Sequence, residues 1–186
     1  FILIQLPRLA IYVGLAATPL VVLYPLAKRV TWFPQFVLGL TFSWGVLLGW
    51  TAVTGSLPPF SVILIYAGCV FWVFGYDTIY AIQDIEDDRT VGIKSSALAF
   101  ASRIRLGTGA AYVIAISLIA TGLFIHAHDE LQHVVWGWVG LGGMGAHLGM
   151  QIYKIRTNDV ELALNLFKSN RNAGLLLVAG LILDRL

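Results

Sequence analysis

The chain has 186 residues, 58% of them hydrophobic and only 12% charged, with a formal net charge of +2 and a mean hydropathy of +0.81. These values lie outside the range of soluble globular domains and point to an integral membrane protein. The small net charge and the lack of a basic stripe give no reason to expect a nucleic-acid partner, and no Pro/Ser-rich or low-complexity linker splits residues 1–186 into more than one domain.

Apolar stretches of spanning length run over residues 9–27, 30–54, 58–83, 106–125 and 131–153. A hydrocarbon core about 30 Å thick needs roughly 20 helical residues. A sixth stretch, 172–183, is shorter and is expected as a short, truncated or partly re-entrant helix. The unbroken runs exclude a closed β-barrel, which requires alternation. The fold class expected is all-α, a polytopic transmembrane bundle of about six helices.

The loops around residues 28–29, 84–105 and 154–171 hold ten of the twelve Lys and Arg residues. By the positive-inside rule they face the matrix or the cytoplasm. Lys28 and Arg29 sit between the first two apolar runs in YPLAKRVTWFPQ. A cationic pair at an interface anchors to anionic lipid or, with Arg able to grip phosphate oxygens bidentately, holds a diphosphate. The second run, FVLGLTFSWGVLLGW, carries glycines suited to close helix packing and the rings Phe42, Trp44 and Trp50. Cys69, the lone cysteine, lies inside an apolar run and reads as a buried structural thiol.

The chemistry concentrates in YDTIYAIQDIEDDRTVGIKSSA, residues 76–97. On a continuous helix at about 100° per residue, Asp84 falls near −20° and Asp88 near +20° of Asp77, so the three carboxylates share one face. Asp87 falls near −80°, at the edge of that face, and Glu86 points away. Clustered carboxylates repel unless protonated or bridged by a cation. Oxygen ligands suit Mg²⁺, which is commonly held by one or two carboxylates together with substrate phosphates. The alternative is a solvated acidic loop that stops a helix. Beyond this cluster, Lys94 is in reach of a phosphate, and the two serines after it are candidate helix caps. The residues of FKSNRNAG offer Asn170 and Asn172 as caps, or Asn170 as a hydrogen-bonding contact to a substrate head group. His126, His128 and His133 lack a recognised metal-site spacing and read as a solvated loop; His147, one turn before Gln151, reads as a hydrogen-bonded packing histidine.

YDTIYAIQDIEDD followed by GIKSSA resembles the second aspartate-rich motif of the UbiA superfamily of intramembrane prenyltransferases, in its 4-hydroxybenzoate polyprenyltransferase branch. YPLAKRVTWFPQ, LGLTFSWGVLLGW and FKSNRNAG are similar to the same branch, particularly its mitochondrial members. The resemblance covers essentially the whole chain. It implies nine transmembrane helices around a cavity open laterally to lipid, with Mg²⁺ held on the diphosphate of a polyprenyl donor. It also implies Asp84 and Asp88 as the metal-associated pair, Asp77 and Tyr80 on the same wall, and Lys28 and Arg29 near the diphosphate or the acceptor's carboxylate. The activity implied is transfer of a polyprenyl group to 4-hydroxybenzoate in ubiquinone synthesis, in the mitochondrial inner membrane or, alternatively, a bacterial inner membrane.

The family's first aspartate-rich motif, of NDxxDxxxD type, does not occur in these residues, and the runs found match the last six of the nine helices. The chain starts at Phe1, and its first apolar run lacks the basic n-region and the small-residue cleavage site of a signal peptide. The expectation is a domain without the N-terminal third of the family fold. That leaves sequence upstream, a second chain that supplies the missing helices, or a non-catalytic lipid-binding subunit of a larger inner-membrane complex.

Overall fold

The computed structural model describes residues 5–129 and 134–186. Among them every regular element is helical. The chain runs α1 (Arg8–Ala16), α2 (Thr18–Val30), α3 (Pro34–Phe42), α4 (Gly45–Thr54) and α5 (Phe60–Tyr80), then a 3-10 turn (Ala81–Asp84). It continues through α6 (Ile85–Val91), α7 (Ser96–Phe100), a second 3-10 turn (Ala101–Arg103), α8 (Ile104–Asp129), α9 (Val135–Lys154) and α10 (Val160–Leu183).

Among the described residues four stretches are long and apolar enough to cross a membrane: Arg8–Val30, Pro34–Thr54, Phe60–Val91 and Ser96–Asp129. The first two are not straight rods. Pro19 at the start of α2 has no N–H to continue α1, which therefore breaks at Ala17. The second breaks at Ser43 and Trp44, and the indole of Trp44 reaches across to donate to the carbonyl of Val13 at 2.8 Å. Proline opens α3 at its first position, where the missing donor costs nothing. Gly55 and Gly92, at φ 66° and 76°, end α4 and α6 in the left-handed conformation that glycine adopts without strain.

The last helix corrects the expectation of a twelve-residue element: α10 has 24 residues and starts at Val160, where Asp159 accepts the Leu162 N–H at 2.9 Å. The polar residues before 172 had hidden its first half. Asn170 and Asn172 therefore lie inside a helix and cap nothing. Ser95, by contrast, caps α7 by accepting from Leu98 N, as the serine pair allowed.

Neighbouring helices are antiparallel. A Cβ on Gly68 would strike Ile119 and the Ala115 carbonyl, one on Gly75 the Tyr112 ring, and one on Gly122 the Ser61 carbonyl, so α5 and α8 pack backbone to backbone along their length. Gly140 and Gly180 bring α9 and α10 together in the same way. The core lies among α5, α8, α9 and α10, with Ile79, Ile104, Ile119, Met144 and Leu148 fully buried. A buried polar chain crosses it. Tyr112 donates to Gln151 Oε1 at 2.8 Å, and Gln151 Nε2 donates to the Leu166 carbonyl and to Ser169 Oγ. His147 Nε2 sits 3.0 Å from the same serine, the packing role expected of it.

Candidate active-site cleft

The antiparallel packing brings the C-terminal turn of α2, the first turn of α3, and the end of α5 with its 3-10 turn and α6 to one end of the bundle. There Tyr24, Lys28, Gln35, Asp77, Tyr80, Asp84 and Asp88 line a single cleft of about 50 Å³. The three carboxylates are brought together, but not on one continuous helix. The 3-10 turn tightens the chain after Tyr80, and Asp84 leaves helical geometry with φ −102° and ψ 5°. Asp88, only 8% exposed, faces back into the cleft from α6, while Glu86 and Asp87 are exposed.

Lys28 is the attractive charge felt by both Asp77 and Asp88, and Asp84 is the repulsive charge common to both. Within the described residues the only ion pair closer than 4.0 Å is His128 with Asp129, so Lys28 shares the cleft without being locked to a carboxylate. Among the described residues no three His, Cys, Asp or Glu side chains converge closely enough to cage an ion by themselves. The donor set of two or three carboxylates beside one ammonium fits a hard cation completed by water and phosphate oxygens.

The other expected residues lie differently. Arg29 is exposed and does not line the cleft, so the basic pair is split. Lys94 is also outside it. Its backbone N–H donates to the Lys28 carbonyl and its Nζ to the Val30 carbonyl, both at 3.2 Å, and its ammonium lies 5.7 Å from the Trp32 ring centroid. Lys94 thus latches the loop before α7 onto the end of α2, satisfying carbonyls that the helix leaves open, and thereby holds Lys28 in place.

Asn170 is 6% exposed and accepts from the Trp72 indole at 2.9 Å, while its amide donates to the carbonyls of Leu166 and Phe167. It belongs to a seam where Trp72, Tyr76 and Tyr80, one turn apart on α5, meet α10. The Phe167 ring lies 5.6 Å from that of Tyr76 and 4.7 Å from that of Tyr80.

Tyr24 and Gln35 are polar site residues that sequence reasoning passed over, and Gln35 is the more deeply set of the two. It is 4% exposed, lines the cleft and accepts the Ser96 N–H at 3.0 Å; Ser96 Oγ in turn lies 2.6 Å from Thr78 Oγ1. A polar side chain next to the proline that opens an otherwise apolar helix was the available signal.

The UbiA prenyltransferase family profile matches residues 1–174. The chain belongs to that family. Its relatives include the mitochondrial 4-hydroxybenzoate polyprenyltransferases of Rattus norvegicus, 42% identical, Homo sapiens, 38% identical, and Caenorhabditis elegans, 40% identical. Each alignment covers all of this chain and respectively 48%, 48% and 51% of the relative, so the chain spans about half their length. The apo structure of a UbiA homolog from Aeropyrum pernix K1 superposes with a TM-score of 0.71 at 22% identity, covering 99% of this chain and 67% of that one. At that identity the likeness establishes the fold, a polytopic helical membrane fold, and nothing finer.

Proposed function

We propose that this chain carries one wall of the diphosphate site of a Mg²⁺-dependent 4-hydroxybenzoate polyprenyltransferase of ubiquinone synthesis. We place it in the mitochondrial inner membrane with its carboxylate end toward the matrix. The observation that carries the reading is the convergence of Asp77, Asp84 and Asp88 with Lys28 in one cleft at the end of an apolar bundle. The relatives' names supply the reaction class. A cleft of about 50 Å³ admits an ion and its waters but not a prenyl diphosphate, since ligand pockets run to roughly 300 Å³ or more; these residues therefore form a wall and not an enclosed pocket.

Asp84 and Asp88 would hold Mg²⁺ together with diphosphate oxygens, and the ion when bound supplies Lewis-acid neutralisation of the leaving group. Lys28 adds a fixed positive charge where negative charge grows as the allylic C–O bond breaks. Asp77 lines the cleft beside them, where its carboxylate attracts Lys28. Tyr80 presents its ring at the rim, where an allylic cation gains from the face of an aromatic group. The ring carbon ortho to the phenol oxygen attacks that cation, and loss of its proton restores aromaticity, with the released diphosphate or a carboxylate as acceptor.

The test is prenyl transfer to 4-hydroxybenzoate in membranes containing the protein. Activity is expected to vanish on chelation and return with Mg²⁺, and Asp84→Ala is expected to lower kcat about 100-fold or more. Equal turnover in Asp84→Ala and the unaltered protein would overturn the assignment.

A further inference from the structure

The same end of the bundle carries a second polar feature, remote from the aspartates in sequence. Arg105 at the start of α8, with Lys154 and Arg156 at the end of α9, lines a pocket of about 560 Å³ together with Tyr153 and Asp159. The guanidinium of Arg105 is fixed by two donations to the buried Ile155 carbonyl, at 2.9 and 2.6 Å, and its other N–H groups have no partner among the described residues. Asp159, the one carboxylate in the lining, is occupied at the α10 N-terminus by the Leu162 N–H. Neither Lys154, Arg156 nor Arg105 has a carboxylate within 4.0 Å among the described residues. Tyr153 is 83% exposed beside them, as an aromatic belt residue is at the membrane interface.

One helical turn below, an apolar groove of about 470 Å³ runs between α8 and α9 from Gly109 and Ile152 to Ser117 and Gly145. Eight residues of α8 give it a length of about 12 Å, most of one leaflet of a hydrocarbon core about 30 Å thick. Its glycines differ from those that join the helices. A Cβ on Gly149 would meet nothing within 4 Å, and one on Gly109 or Gly145 would first touch a side chain at 3.8 or 3.9 Å. Packing within the protein therefore does not require them, although glycine inside a helix costs about 1 kcal/mol relative to alanine. What they do is keep the groove open.

We propose that the α8/α9 face is a binding site for an anionic glycerophospholipid, with the phosphate in the Arg105, Lys154 and Arg156 pocket and an acyl chain in the glycine groove. Cationic pocket and apolar groove are contiguous and ordered as the parts of such a lipid are, and basic pockets at the ends of transmembrane helices select anionic head groups. The site is independent of prenyl transfer, and its test does not use activity.

Spin-labelled phosphatidylglycerol and phosphatidylcholine are compared in vesicles of the reconstituted protein by electron paramagnetic resonance, which counts motionally restricted lipid. The unaltered protein is expected to prefer phosphatidylglycerol about tenfold, and K154Q/R156Q to lose that preference. R89Q/R103Q removes equal charge outside the pocket and is expected to retain it. G149L, which fills the groove and leaves Arg105 in place, is expected to lower the restricted fraction of both lipids. Four results would each overturn the proposal: equal binding of the two lipids by the unaltered protein, equal losses in the two double variants, competition by millimolar inorganic phosphate, or a change of oligomeric state in G149L with lipid binding intact.

Discussion

Lys28 and Arg29 are adjacent in sequence and opposite in consequence. One lines the cleft beside three carboxylates, and the other points out of it. A charged hydrogen bond to phosphate is worth about 1.5–3 kcal/mol, so Lys28→Met is expected to lower kcat/KM for the prenyl diphosphate about 10- to 100-fold, with Arg29→Gln close to unaltered; steady-state kinetics on the two variants separates them. The aspartates were legible because their spacing repeats near whole turns, and all three do meet in one cleft. Their route there was not legible, since no residue pattern in AIQD announces that the helix tightens into a 3-10 turn. Lys94 was misplaced for a related reason. Its role depends on backbone carbonyls of α2, which side-chain spacing does not reveal.

At the scale of elements, the joints between helices hold most of what the sequence concealed. Asp184, beyond the end of α10, accepts the Trp136 and Gly137 N–H groups at 2.9 and 2.6 Å and so caps α9 from a different helix. Removal of a cap costs about 0.5–2 kcal/mol, and Asp184→Ala is expected to destabilise the protein by that amount in a detergent-solubilised thermal melt. Ala101, which follows α7 and opens the second 3-10 turn, has φ 45° and ψ −119°, which is close to the first central position of a type II′ turn, where glycine dominates. Relief of a strain of about 1 kcal/mol or more predicts that Ala101→Gly raises the melting temperature; a lowered one would show that the backbone there is not strained. The hidden start of α10 has a plain cause. Its buried positions Ala163, Leu166, Asn170, Ala173, Leu177 and Gly180 recur at three and four residues, but a polar side chain in the middle of that stripe and six polar neighbours interrupt the hydropathy.

For the molecule as a whole, the apolar runs were legible from composition because a bilayer demands length and little else, and kinks within runs leave mean hydropathy unchanged. The antiparallel order of α5, α8, α9 and α10 puts the segments around residues 84–103 and 154–159 at one end and residues 55–59 at the other. In a Cys69→Ser background, Arg89→Cys and Asn158→Cys are expected to react with a membrane-impermeant maleimide from the same side, and Ser56→Cys only from the opposite side. Labelling of Arg89→Cys and Asn158→Cys from different sides would contradict the arrangement of the bundle.

Tyr80 touches two things at once: the cleft on one flank and the Phe167 ring on the other. The final helix is thereby mechanically geared to the acidic rim. Under the proposed function, a sideways tilt of that helix to admit a long greasy tail from the bilayer would move the tyrosine and, with it, the wall against which a departing anion would lean. Entry of the tail and readiness of the charged end need not be separate events in such a molecule, because one aromatic contact registers both.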